Sequence, residues 1–91
     1  MISQRILDKY QRAHDEHLNA AARARRYDSI HTAALRAGYA GPYQAEGQAF
    51  AEWMDACNAV GYQIMDEVGA GTRAPLSIEE YLGLLPALVL P

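Results

Sequence analysis

Apolar residues recur between positions 50 and 68 at the spacing of an α-helix. Phe50, Trp53, Met54, Cys57, Val60, Gly61, Ile64, Met65 and Val68 fall on one face when successive residues turn by ~100°. That face is about 140° wide, enough to form one wall of a core. Leu7, Tyr10, His14, Leu18, Ala21 and Arg25 repeat the same spacing near the start of the chain, with polar residues between them. The two stripes predict two long helices, over residues 42–68 and 3–26. No segment alternates with a period of two, so no strand is expected.

Local signals set the boundaries. Ser3 can cap the first helix. Tyr27 and Asp28 interrupt its pattern, and Asp28 can cap a short second helix over 29–37. Gly38 then stands just past the end of that helix, where a left-handed residue is favoured. Pro42 suits the first turn of the third helix, where its missing N–H is not needed. Gly69 and Gly71 end that helix. Ser77 with Glu80 three residues on forms a capping box and starts a fourth helix over 78–84, which Pro86 stops. Residues 87–91 are apolar, and they are expected to run extended against a neighbouring surface.

Short connections between long amphipathic helices favour antiparallel packing. The expected fold class is all-α: an antiparallel long-helix hairpin with two short extra helices. Residues 1–86 form a single helical domain and 87–91 an apolar C-terminal tail. In the register that pairs large residues with small ones, Leu7 faces Ile64, Tyr10 faces Gly61 and His14 faces Cys57. Leu18 then faces Trp53, Ala21 faces Phe50, and Arg25 meets Glu46 as a structural polar pair.

Composition narrows the class further. The chain has 91 residues, one cysteine and a formal net charge of −3, which bounds it to one small domain without an internal disulfide. No apolar run approaches the ~18 residues of a membrane span. The first residues lack the apolar core of a signal peptide, so a reducing cytosol, or a particle assembled there, is expected. Arg5, Lys9, Arg12, Arg23, Arg25 and Arg26 against Asp8, Asp15 and Glu16 give the segment up to Arg26 a balance of +3. The remainder carries Arg36 and Arg73 against eight acids, a balance of −6. An acidic whole disfavours nucleic acid as a partner.

Candidate chemistry is sparse. His14, Glu16 and His17 could begin a metal set with Asp15 or His31, but their spacing is not that of a zinc-protease helix. Cys57 faces His14, yet burial beside Trp53, Val60 and Ile64 favours the neutral thiol over a nucleophile. Glu46 lies within an apolar stripe, so pairing with Arg25, Tyr27 or His31 is favoured over acid–base work. The Gly69-Ala70-Gly71-Thr72-Arg73 run follows a helix and lacks phosphate-loop spacing. No catalytic residue, cofactor or metal is expected. Tyr43 lies on the stripe and is expected in the core. Tyr62, Tyr81, Leu84, Leu88, Val89 and Leu90 are the candidate interface residues, because tyrosine is enriched at interfaces and the C-terminal leucines have little core left to enter.

Tyr27-Asp28-Ser29, Glu46 with Phe50, Trp53 and Asp55, Gly71-Thr72-Arg73 and Leu85-Pro86 together resemble a small helical segment encoded by tailed bacteriophages and prophages. The resemblance spans roughly Leu7 to Pro86. It implies a tail-associated role, in tail structure or tail assembly, with no catalytic residues. The expected function is therefore a non-enzymatic phage or prophage interaction module, found in the host cytoplasm or the virion. Its expected partners are a second copy of itself, as a homo-oligomer, or phage tail components. The alternative is a small regulatory protein that binds a host or phage factor through the basic end of its first helix.

Overall fold

The computed structural model describes residues 4–91. Four helices follow one another: α1 Gln4–Ala24, α2 Ile30–Leu35, α3 Gln44–Ala70 and α4 Ile78–Gly83, with a 3-10 turn at Arg36–Gly38 after α2. No strand occurs among the described residues. The molecule measures 48 × 18 × 18 Å. Its long axis is set by α3, whose 27 residues rise ~1.5 Å each, or about 40 Å. Arg25 meets Glu46 at one end and His14 meets Asn58 further along, so α1 and α3 run antiparallel. The fold is the all-α hairpin of two long helices with two short ones that the stripes predict.

The α3 stripe supplies much of the core. Phe50, Trp53, Cys57, Gly61, Ile64 and Val68 are buried, and Met54, Val60 and Met65 are half-buried around them. Tyr10, Leu18 and Ala22 of α1, Ile30 and Ala33 of α2, and Tyr81 and Leu85 complete it. Backbone approach is closest where α2 leaves for α3. A Cβ on Gly47 would lie 2.6 Å from both Ala37 N and Arg36 Cβ, so only glycine lets the 3-10 turn rest on α3.

Several boundaries differ from expectation. Ser3 lies outside the described residues. Ser29, not Asp28, caps α2: its hydroxyl accepts from Thr32 N–H at 3.3 Å. Gly38 is not left-handed and Pro42 precedes α3, because residues 41–43 form a turn before the helix begins. That turn leaves Tyr43 exposed and outside the core. Ala22 takes the buried place expected of Ala21. Gly61 receives His14 and Tyr81 in place of Tyr10, because Tyr10 stacks on Tyr81 with ring centroids 5.2 Å apart.

Two helices close with the same pair of hydrogen bonds. After α3, Gly71 N–H bonds Val68 O at 3.1 Å and Thr72 N–H bonds Glu67 O at 2.9 Å. After α1, Arg26 N–H bonds Arg23 O at 2.9 Å and Tyr27 N–H bonds Ala22 O at 3.1 Å. This closure needs a left-handed residue. Gly71 adopts it at φ 81°, and Arg26 adopts it at φ 73°. A side chain makes that conformation unfavourable by ~1–2 kcal/mol, so Arg26 stands where glycine is the relaxed choice.

The capping box of α4 is complete. Glu80 N–H bonds Ser77 Oγ at 3.0 Å, and Ser77 N–H bonds the Glu80 carboxylate at 2.9 Å. These bonds hold the Glu80 carboxyl below its usual range. Ser77→Ala is expected to destabilise the fold by about 1 kcal/mol, read as a lower denaturant midpoint. The Glu80 contribution is present above the ordinary carboxylate pKa and is lost as pH falls through the lowered folded value. The larger part of that contribution runs through the Ser77 backbone N–H, which alanine keeps, so wild type and variant should both lose it in acid.

Candidate functional site

The polar groups with most chemical potential are consumed inside the hairpin. His14 is fully buried. Its Nε2 lies 2.8 Å from Asn58 Oδ1 and its Nδ1 lies 2.7 Å from the Tyr81 hydroxyl. Oδ1 can only accept, so Nε2 carries the proton and Tyr81 donates to Nδ1 in the neutral ring. Both ring nitrogens are thereby taken. Tyr81 is held in its neutral form, first by burial and then by the nearby Tyr62, Cys57 and Asp15. Tyr10 adds a second clamp: its hydroxyl donates to Leu76 O and accepts from Leu76 N–H, each at 2.7 Å. This ties the segment leading into α4 to α1.

Cys57 is buried and its thiol points at Pro86 O, 3.8 Å away, and not at His14. Burial pushes its pKa up to about 11, so the thiol is neutral at pH 7. The indole N–H of Trp53 donates to the same carbonyl at 2.7 Å. His17 packs at a tilt against Trp53, and burial, with His14 nearby, lowers its pKa. Glu16 pairs with Arg23 at 3.0 Å. The described residues contain no group of three metal-ligating side chains.

The interface candidates separate into two sets. Tyr81 is corrected: it is fully buried beneath α1, because α4 turns its ring inward to reach His14. Leu88 and Leu90 are half-buried against the chain's own core. Val89 is 80% exposed, Leu84 49% and Tyr62 43%, so these three face outward. No helix is long and apolar enough to cross a membrane among the described residues.

A cleft of about 450 Å³ opens at the far end of the hairpin, lined by Arg25, Arg26, Tyr27, Arg36, Tyr43 and Glu46. Arg25 Nε donates to Glu46 at 2.6 Å, as the register predicts, and this bond raises the arginine's pKa. The Tyr27 hydroxyl adds a longer bond to Glu46 at 3.4 Å. Burial is the main cause of the raised Tyr27 pKa, with Glu46 next. The Arg36 guanidinium lies 5.9 Å from the ring centres of both Tyr27 and Tyr39 and donates to the Tyr39 hydroxyl. The cleft brings together three chain segments, and only its Arg25–Glu46 floor follows from helix periodicity.

No protein-family model, curated protein or solved structure matches this chain.

Proposed function

We propose that the chain is a non-enzymatic helical interaction module, working in tail structure or tail assembly of a bacteriophage or prophage. The observation that carries the interaction reading is the contrast between interior and surface. His14, Tyr81 and Cys57 are all occupied inside the fold, whereas Leu84 and Val89 remain outside it. Large apolar side chains left in water favour association, and a symmetric dimer is the commonest form it takes. The phage setting comes from the resemblance of the Tyr-Asp, Gly-Thr-Arg and Leu-Pro steps.

Association through this surface is expected to be concentration-dependent. Light scattering should give a mass above that of one chain at high concentration, and Leu84→Glu with Val89→Glu should return it to the monomer. A strict monomer at every concentration would end the self-association reading. Detection of the chain in purified virions, or with isolated tail intermediates, tests the setting.

The second reading is a small regulatory protein that contacts a factor through the basic end of α1. Arg23, Arg25 and Arg26 are all exposed, which supports it. Two of them are already engaged, by Glu16 and Glu46, so Arg26 is the residue on which this reading turns. Such binding should weaken as salt rises.

A further inference from the structure

The cleft at the end of α1 contains more positive charge than the fold uses. Among the described residues, the ion pairs are Arg23–Glu16, Arg25–Glu46 and Arg73–Glu67. Arg25 and Glu46 neutralise each other on the cleft floor. Arg26 and Arg36 line the same cleft, and neither is part of an ion pair among the described residues. Arginines at a helix C-terminus offset its negative dipole end, which accounts for Arg23 and Arg25. Arg36 likewise caps the C-terminus of α2, but the dipole does not account for Arg26, which stands beyond the last turn of α1 in a left-handed conformation.

The backbone at Arg26 makes the same point independently. The identical closure after α3 uses glycine, and α1 places an arginine in the left-handed position instead. Relaxed geometry is given up at a residue that lines the cleft. Strain of this kind concentrates where a side chain has work to do. Arg36 is held in place by Tyr27 and Tyr39, so its planar fork is positioned before any ligand arrives.

We propose that this cleft docks an acidic peptide segment of a partner protein, with a carboxylate held by Arg26 and Arg36 and an adjoining aromatic side chain laid against Tyr27 and Tyr43. The guanidinium fork matches a carboxylate through two parallel hydrogen bonds. The tyrosine rings supply an amphipathic wall of the sort found at protein interfaces. Nucleic acid fits poorly, because its backbone needs a track of cations. Here the cleft offers Arg26 and Arg36 beside the paired Arg25 and Glu46, and the chain beyond Arg26 has a balance of −6. The proposal rests on the reading of the chain as an interaction module and names the chemistry of its partner.

The test is a titration of the isotope-labelled protein, followed by amide and arginine side-chain resonances, with a capped peptide of four glutamates around one tyrosine. Shifts should concentrate at Arg26, Tyr27, Arg36 and Tyr43 and shrink as salt rises. Arg26→Gly relaxes the backbone, so this variant should unfold at or above the wild-type temperature while binding the peptide about tenfold more weakly. Arg36→Gln should also weaken binding. Glutamine in place of every glutamate should abolish it. The proposal is overturned if the cleft resonances do not move, or if Arg26→Gly binds as tightly as wild type. It is also overturned if inorganic phosphate at the same concentration produces the same shifts, or if a DNA duplex binds more tightly than the peptide. Self-association through Leu84 and Val89 is read separately, so a failed titration with association intact removes the cleft assignment alone.

Discussion

Trp53→Ala is expected to remove about 3–5 kcal/mol of stability. Trp53 is only 6% exposed and lies in the N-terminal half of α3. It packs edge-on against Phe50 and at a tilt against His17, and its indole N–H holds Pro86 O at 2.7 Å. Alanine leaves a cavity beside Phe50 and releases the C-terminal segment that the indole anchors. A domain of this size has roughly 5–10 kcal/mol in hand, so the variant loses a large part of its margin. The melting temperature should fall by more than 10 °C, at roughly 4–8 °C per kcal/mol. Cys57 shares the Pro86 carbonyl, so a thiol reagent should label the folded variant faster than wild type. Trp53→Phe keeps an aromatic ring without the donor and should lose clearly less. A melting temperature within a few degrees of wild type for Trp53→Ala would show that the C-terminal segment does not close the core.

The parts of this fold that are legible in the sequence have their signal within one element. Phe50 through Val68 lie on one helix and repeat often enough to define a face. Ser77 and Glu80 form a box within four residues. Arg25 and Glu46 follow once two stripes are laid antiparallel, because each is the charged residue at the matching end. What is not legible depends on meetings between elements. Helix α4 has six residues, too few to show which side is apolar, so Tyr81 reads as a surface residue although its hydroxyl completes the His14 network. Tyr43 is in phase with the α3 stripe, but a turn delays the helix to Gln44 and leaves the ring outside. Arg26 is hidden for another reason: a left-handed closure is normally announced by glycine, as at Gly71, and here the same hydrogen bonds form around an arginine. The cleft is invisible for all these reasons at once, since Arg26, Arg36 and Tyr43 come from three separate pieces of chain. A signal was present in retrospect: the α1 pattern stops at Arg25 with no glycine to stop it.

Gly61→Ala should be destabilising even though alanine is the better helix former. On an exposed helix the change would stabilise by about 1 kcal/mol. Here the added Cβ would lie 2.8 Å from His14 Nδ1 and Cε1 and would overlap the Tyr81 hydroxyl. Neither ring can retreat freely. His14 is held from the other side by Asn58, and Tyr81 is stacked on Tyr10, whose hydroxyl is bonded to Leu76. Moving either ring breaks the Tyr81–His14 bond and leaves a buried donor and acceptor unpaired, at about 1–3 kcal/mol. Overpacking adds about 1–3 kcal/mol. The net loss is about 1–5 kcal/mol once the helix preference is subtracted. Hydrogen exchange should show it first at Leu76 and through α4, because those residues are tied to α1 by the displaced pair. Tyr81→Phe in the Gly61→Ala background discriminates the cause. Removing the overlapping hydroxyl should recover part of the loss, whereas in the wild-type background the same change should destabilise by leaving His14 Nδ1 unpaired. If both changes simply add, the contact at Gly61 is not what fixes α4 against the hairpin.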